Sequence, residues 1–223
     1  MNMWRGVAAI IAKDVTAELR SKDTLSALLV FSLLVVVIFN FAFELRVDNA
    51  TELAPGVLWV AFTFAGVLAL NHSFVQERES GCIEGLMLTP VDRSVIYVGK
   101  FVANLLFMLV SEVLVLPISA ILFDIPVLNP VLLCITALGT IGFAAVGTLF
   151  SAMTVNTHAR EALLPLLLFP VSVPVLIAAT KSTGLILDGR PLSEVYSWIR
   201  LLLAFDVISV VVALLSFEYV LEE

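Results

Sequence analysis

The stretch TLSALLVFSLLVVVIFNFAF, from Thr24 to Phe43, contains twenty residues and no charged side chain. A helix rises about 1.5 Å per residue, so this stretch spans about 30 Å, the thickness of the hydrocarbon core of a bilayer. Five further stretches are long and apolar enough to do the same. They are Leu53–Gln76, Phe101–Phe123, Ile125–Ala159, Ala162–Thr180 and Val195–Phe217. The pattern predicts six membrane-spanning helices.

One of these stretches, Ile125–Ala159, is too long for one crossing. Pro126 and Pro130 lie near its start, and proline is well placed in a first helical turn, so the helix should run from about Pro130 to Met153. Small residues recur at every fourth position of this helix, at Thr140, Ala144, Thr148 and Ala152. The spacing predicts close helix packing, either within the subunit or at a homodimer seam.

The composition excludes a water-soluble fold. Of 223 residues, 61% are hydrophobic and 14% are charged, with a mean hydropathy of +1.08, whereas ordinary soluble domains are about 45–50% apolar and about 25% charged. Six spans leave no room for a soluble catalytic domain. We therefore expect one all-α membrane domain over residues 1–223. The N-terminus lacks the pattern of a cleaved signal peptide, so the first span is expected to be retained.

The first 22 residues predict an amphipathic helix that lies in the cytoplasmic interface of the membrane. One side of this helix is apolar and the other is charged. The apolar side consists of Trp4, Val7, Ala8, Ile11, Val15 and Leu19, and the charged side of Arg5, Lys13, Asp14 and Arg20. A helix packed on the cytosolic part of the protein is the alternative.

The basic residues predict the orientation of the chain. If both termini are cytoplasmic, eight of the twelve Lys and Arg residues lie on the inner side. These eight are Arg5, Lys13, Arg20, Lys22, Arg78, Arg93, Lys100 and Arg160. Because positively charged loops tend to stay in the cytoplasm, we expect six spans with both termini inside.

The only sizeable loop on the predicted cytoplasmic side includes Glu77–Pro90. Its charges alternate in sign, and Ile83, Leu86 and Met87 share one face at helical spacing. The pattern predicts a short amphipathic helix near residues 79–88, ended by Pro90. Such a helix can dock into a groove of another protein. A solvated loop with helical tendency is the alternative.

This loop resembles the segment between the second and third spans of ABC-2-type transporter permeases, where it forms the coupling helix. The matching residues are Glu77, Glu79, Gly81, Glu84, Leu86, Thr89 and Pro90, followed by Gly99 and Lys100 at the entry to the next span. The resemblance implies contact with a separate ATPase subunit. The chain itself has no Gly-x-x-x-x-Gly-Lys-[Ser/Thr] phosphate loop, so ATP would be hydrolysed by that partner.

Three further stretches narrow the resemblance: Lys13–Lys22, Leu53–Val60 and the proline-rich Leu163–Pro174. On these the chain is most similar to the CcmB family, the haem exporter B subunits of cytochrome c maturation. The resemblance implies an ABC-2-type permease architecture, a location in the bacterial inner membrane, and a homodimer that binds two copies of a cytoplasmic ATPase. It also implies two further membrane partners, a haem-handling subunit and a small accessory subunit. The implied output is haem export or release of a haem-loaded periplasmic chaperone, with haem a possible substrate and no cofactor held by this chain.

Two acidic residues lie near the middle of predicted spans, Glu112 in the third and Asp206 in the sixth. A charged group costs about 2.5–3.5 kcal/mol there, so both should face protein or water. They either serve transport, lining a path or relaying protons, or act as protonated hydrogen-bonding groups. In the fifth span Pro165, Pro170 and Pro174 each remove a backbone donor, which predicts a kinked helix, either static or a functional hinge.

The remaining polar residues point to no catalytic or metal site. His72 and His158 stand alone near the cytoplasmic ends of spans, and haem ligation by them is the minor alternative to an ordinary interfacial role. Cys82 and Cys134 lack metal-ligand spacing and are expected to be free thiols. The sequence shows no nucleophile–base pair, so we expect a transporter subunit and not an enzyme.

Two other functions are compatible with the sequence. A generic ABC-2 exporter of a lipid, drug or polysaccharide would share the loop but not the proline series. An ion-coupled secondary carrier would use Glu112 and Asp206, would need no ATPase, and should show inverted repeats. The sequence shows no such repeat.

Overall fold

The structure is a computed structural model and describes residues 3–44, 50–79, 92–126, 129–155, 157 and 159–220. These residues form seven α-helices and no β-strand. The helices are α1 Met3–Ser21, α2 Asp23–Glu44, α3 Ala50–Glu79, α4 Arg93–Phe123, α5 Pro130–Thr154, α6 Arg160–Leu187 and α7 Leu192–Val220. In the described part of the chain, α2 to α7 are long and apolar enough to cross a membrane. The prediction of an all-α membrane protein with six spans is confirmed.

Two spanning helices extend about two turns beyond the apolar stretches from which they were predicted. α4 starts two turns before Phe101, and α6 continues two turns past Thr180. The uncharged stretches stop at Lys100 and Lys181, but lysine is a good helix former, so neither residue ends a helix. α5 begins at Pro130 as predicted, because Asn129 caps it by accepting a hydrogen bond from a backbone N–H in the first turn.

The helices α3 and α5 lie at the centre of the bundle and are the most buried spans. All four members of the predicted small-residue ridge on α5 are buried within the chain. They are Thr140, Ala144, Thr148 and Ala152. The prediction of close packing inside the subunit is confirmed, because small side chains let neighbouring helices approach.

The helices α2 and α7 are the least buried spans and carry large exposed apolar side chains. Examples are Leu34 and Phe41 on α2, and Val211 and Leu215 on α7. A helix satisfies its own backbone hydrogen bonds, so such a surface is stable against lipid acyl chains. The chain is a multi-pass membrane protein.

One end of the bundle brings together α1, the starts of α2, α4 and α6, and the ends of α3, α5 and α7. We call it the loop end, because residues 80–91 connect α3 to α4 there. A hydrogen bond joins two of its helices directly: Arg93 Nη1 of α4 donates to the backbone carbonyl of Glu218 in α7 over 2.7 Å. The loop end is therefore where the segment between α3 and α4 meets the rest of the bundle.

Candidate functional site

The predicted ATPase-coupling residues lie at and beyond the end of α3. Glu77 and Glu79 belong to its last turn, so the predicted boundary at Gln76 is one turn too early. The other predicted coupling residues lie outside the described residues: Gly81, Glu84, Leu86, Thr89 and Pro90. The structure therefore describes the two helices that flank residues 80–91, which are α3 and α4.

Lys100 is buried near the loop end of α4, with 1% of its surface exposed. Its Nζ lies 2.9 Å from Asp14 Oδ2 of α1 and donates a 3.2 Å hydrogen bond to the backbone carbonyl of Ser73 in α3. The other oxygen of Asp14 lies 3.4 Å from Lys13 Nζ. One ammonium group thus joins three helices. We call Lys100, Asp14 and the Ser73 carbonyl the Lys100 junction.

The residue before this lysine explains how α1 comes so close to α4. A Cβ atom added at Gly99 would lie 2.7 Å from Ile10 Cγ2 and 2.8 Å from Ile10 Cβ. Because real Cβ atoms do not approach other atoms that closely, a side chain at this position would push α1 outward. The Gly99-Lys100 pair thus provides both the steric space and the charge that hold α1.

A third contact holds the end of α1 against the start of α2. Glu18 is buried, and its Oε1 accepts a 2.7 Å hydrogen bond from the backbone N–H of Leu25. This N–H belongs to the first turn of α2 and has no partner within its own helix. Between the two helices Lys22 adopts a left-handed backbone conformation with φ 61°. The Glu18 carboxylate and the left-handed backbone of Lys22 therefore set the turn between α1 and α2.

The prediction that Asp14 lies with the charged residues on the side of α1 opposite its apolar face was wrong, because its side chain is only 11% exposed and faces Lys100 of α4. The prediction rested on residue type and spacing alone, and these do not reveal an ionic partner on another helix. Trp4 and Leu19 of the predicted apolar side are exposed, away from the protein. α1 therefore packs on α4 through one face and presents apolar side chains outward through another. Its location in the membrane interface stays a prediction.

Inside the bundle, Glu112 lies between α4 and α5 and is buried, as expected for an acid in a span. Thr140 Oγ1 lies 2.6 Å from Glu112 Oε1 and 2.9 Å from the backbone carbonyl of Thr136. Glu112 Oε2 has no hydrogen-bond partner among the described residues. The carboxyl group lines a small cavity with Trp59, Phe62, Thr63, Met108, Thr140, Phe143 and Leu176. The cavity has room for roughly one water molecule.

Asp206 of α7 is also buried, and it faces a different part of α5. A Cβ atom added at Gly142 would lie 2.5 Å from Asp206 Oδ1, so the glycine makes room for the carboxyl group. Neither oxygen of Asp206 has a hydrogen-bond partner within the described part of the chain. The expectation that both acids face protein is met, and their roles in a path or a proton relay stay predictions.

The proline-rich helix α6 runs without interruption through Pro165, Pro170 and Pro174. The kink or hinge predicted for these prolines stays a prediction. The half of α6 far from the loop end is tied to α3 by Trp59, whose Nε1 donates a 3.0 Å hydrogen bond to Thr183 Oγ1.

The comparison with known families agrees with this architecture over nearly the whole chain. The family model described as CcmB protein matches residues 5–222. The chain belongs to the CcmB family. The match includes α1, all six spans and the segment between α3 and α4.

Several bacterial proteins named heme exporter protein B are similar to this CcmB-family chain. The one from Pseudomonas aeruginosa is 31% identical over 196 residues, which cover 87% of this chain and 88% of that protein. The one from Rhodobacter capsulatus is 28% identical over 170 residues, or 76% of this chain and 78% of that protein. The Escherichia coli K12 protein is 27% identical over 104 residues, or 47% and 46% of the two chains.

Sequence reasoning missed two polar contacts of this CcmB-family chain. Asn104 Nδ2 of α4 donates a 3.1 Å hydrogen bond to Thr148 Oγ1 of α5. The hydroxyl group of Tyr97, also on α4, donates a 3.0 Å hydrogen bond to the backbone carbonyl of Ala145. An asparagine within an apolar span was the available signal, because a buried amide needs partners. Its partner could not be named without the packing of α4 on α5.

The remaining candidate residues do not form a metal site in the described residues. No group of three His, Cys, Asp or Glu side chains there is arranged to hold a metal ion. His72 is half-buried in α3, and Cys134 is an exposed free thiol on α5. His158 and Cys82 lie outside the described residues. Haem ligation by either histidine stays untested for this member of the CcmB family.

Proposed function

We propose that this chain is the membrane subunit of an ABC-type haem export system that acts in cytochrome c biogenesis in a bacterial inner membrane. The observation that carries the proposal is the CcmB family match over residues 5–222. Relatives that align with more than three quarters of this chain are named heme exporter protein B. Six apolar helices support a role within the membrane.

A separate ATPase subunit drives the system and docks on the segment between α3 and α4. Two features support this part of the proposal. The segment carries the acidic residues that resemble the coupling helix of ABC-2 permeases, with Glu84 at its centre. It is also flanked by two long spanning helices, which can carry a movement of the segment into the membrane. Both termini and this segment face the cytoplasm, as the distribution of Lys and Arg favours.

The output of the ATP cycle is a rearrangement of membrane helices. It either exports haem or releases a haem-loaded periplasmic chaperone from the complex. The partners are a second copy of this chain, a haem-handling membrane subunit and a small accessory membrane subunit.

The test is deletion of the gene followed by complementation. We expect the deletion strain to lack covalently bound haem in its c-type cytochromes, detected by haem staining, while its b-type haem proteins remain intact. The native chain should restore the c-type cytochromes. Normal c-type cytochromes in the deletion strain would contradict the proposal.

A charge reversal tests the ATPase contact separately. Glu84→Lys should accumulate in the membrane like the native chain but should no longer co-purify with the ATPase, because reversing a charge at a contact disfavours association. Glu194→Lys is the matched control, because it reverses an exposed acid at the start of α7, at the opposite end of the bundle. If Glu84→Lys co-purified with the ATPase as well as the control does, the docking assignment would be wrong.

A further inference from the structure

The Lys100 junction places a buried ammonium group between three helices. A buried ammonium is costly unless it is paired and hydrogen-bonded, and Lys100 meets this need with groups from two other helices. Asp14 on α1 provides the carboxylate and Ser73 on α3 provides a backbone carbonyl. The ammonium therefore stays favourable only while α1, α3 and α4 keep their present arrangement.

The junction lies close to the segment that we propose as the ATPase contact. Lys100 is seven residues after the first residue of α4, and Ser73 is six residues before the last residue of α3. At about 1.5 Å per residue, both are roughly 10 Å along their helices from residues 80–91. The two helices that flank this segment are thus joined to each other by the same ammonium that holds α1.

The helix α1 is joined to the rest of the bundle mainly through α4. In the described residues it packs on α4 and, over a smaller area, on α2. Its buried residues are Gly6, Val7, Ile10 and Glu18. The ion pair between Asp14 and Lys100 is a charged contact between α1 and α4, one of the two helices that flank residues 80–91. A movement of these helices would reach α1 through this ion pair and through the contact of Ile10 with Gly99.

We propose that Asp14 and Lys100 are positioning residues that transmit the ATP-driven movement of α3 and α4 to α1. This inference rests on the proposed function, because it takes the segment between α3 and α4 as the ATPase contact. The pair does not bind the ATPase. It makes α1 follow α3 and α4, so that the apolar outer face of α1, with Trp4 and Leu19, moves together with these two helices.

The experiment follows α1 directly in the complex of this chain with its ATPase. Spin labels are attached at Ala9→Cys on α1 and Ala162→Cys at the start of α6, both exposed positions, in a chain whose native cysteines are replaced. In the native background, the distance between the labels should differ between the nucleotide-free and the ATP-trapped complex. An unchanged distance would overturn the inference, whatever any variant does.

Variants of the pair then separate transmission from docking. Asp14→Asn and Lys100→Met should keep the ATPase bound and hydrolysing ATP, but should lose the nucleotide-dependent change in distance. The amount of holo-cytochrome c in cells that carry either variant should fall about tenfold, which lies within the range of typical coupling between sites. The exchanged pair Asp14→Lys with Lys100→Asp should recover both readouts. Arg20→Gln, which removes an exposed charge from α1, is the control and should behave like the native chain.

The outcomes distinguish this inference from the proposed function. If the ATPase fails to co-purify with the native chain, the proposed function is wrong. If it co-purifies but Asp14→Asn keeps the native change in distance and the native cytochrome level, only the role of the pair is wrong. If the single variants fail to accumulate, the exchanged pair decides: an exchanged pair that accumulates and binds the ATPase but lacks the change in distance would show that the role of the pair is wrong.

Discussion

The contact of Trp59 with Gly139 gives the sharpest prediction about the packing of this chain. A Cβ atom added at Gly139 would overlap Cη2 of the Trp59 indole and lie 2.8 Å from its Cζ3. Trp59 cannot easily give way, because it is buried, its ring packs edge-on against Phe62, and its Nε1 is hydrogen-bonded to Thr183. Gly139→Ala must therefore displace the indole or separate α3 from α5.

The cost can be worked from these contacts. Forcing an extra methyl group into a packed site costs about 1–3 kcal/mol, and losing the Trp59 hydrogen bond adds about 0.5–1.5 kcal/mol. In the opposite direction, replacing a helical glycine by alanine stabilises the helix by up to about 1 kcal/mol. We expect Gly139→Ala to lower the free energy of unfolding by a net amount of about 0.5–3.5 kcal/mol.

The assay is equilibrium unfolding in mixed detergent micelles, followed by far-ultraviolet circular dichroism. Gly184→Ala is the matched control, because its new Cβ would lie 3.7 Å from Pro55 Cγ, an ordinary contact, and it should be neutral or slightly stabilising. Trp59→Phe should partly rescue Gly139→Ala, with a coupling energy of about 0.5–3 kcal/mol between the two sites. If Gly139→Ala unfolds like Gly184→Ala, or if no coupling is measured, the packing argument is refuted.

Other contacts and the orientation of the chain can be tested in the same way. Glu112→Gln should nearly keep the native free energy of unfolding, because its amide can still form a hydrogen bond with the hydroxyl group of Thr140. Glu112→Ala should lower this free energy by about 1–3 kcal/mol. Equal stabilities of the two variants would argue against the hydrogen bond. Gly99→Val should detach α1 from α4, which would be measured as faster amide hydrogen exchange in α1. Adding Ile10→Ala to Gly99→Val should restore slower exchange, because it removes the steric overlap. Native exchange in Gly99→Val would contradict the close contact. In a cysteine-free chain, a cysteine at Glu84 should be labelled only from the cytoplasm, and one at Asp188, an exposed residue at the opposite end of the bundle, only from outside. The reverse would rule out the proposed orientation.

The six spans could be predicted from the sequence because they depend on local composition. A stretch of about 20 apolar residues crosses a bilayer whatever its neighbours are, and α2 and α5 lie close to the predicted stretches. The boundaries of α4 and α6 could not be predicted in the same way. Lys100 and Lys181 interrupt the apolar pattern without interrupting the helix, and the first of them finds its charge partners in other helices.

In the candidate site, only those features could be predicted from the sequence that depend on the chemistry of a single residue. The cost of a charge in lipid was enough to predict that Glu112 and Asp206 are buried. Their neighbours Thr140 and Gly142 lie on another helix and depend on how the helices pack. The prediction for Asp14 failed for the same reason, because its ionic partner is far away in the sequence, at the edge of an apolar run. The available signal was the lysine itself, since a charge at the entry of a span needs a partner.

Two polar contacts fix how α4 packs on α5, and an ion pair joins this pair of helices to α1. Asn104 and Glu112 are eight residues apart on α4, and their partners Thr148 and Thr140 are eight residues apart on α5. Two hydrogen bonds with equal spacing on antiparallel helices fix a single register, so sliding α4 along α5 would break both at once. Lys100 belongs to this joined pair of helices, whereas its partner Asp14 belongs to α1. The ion pair therefore joins α1 to a pair of helices whose register is fixed, so α1 cannot slide along α4 without breaking it.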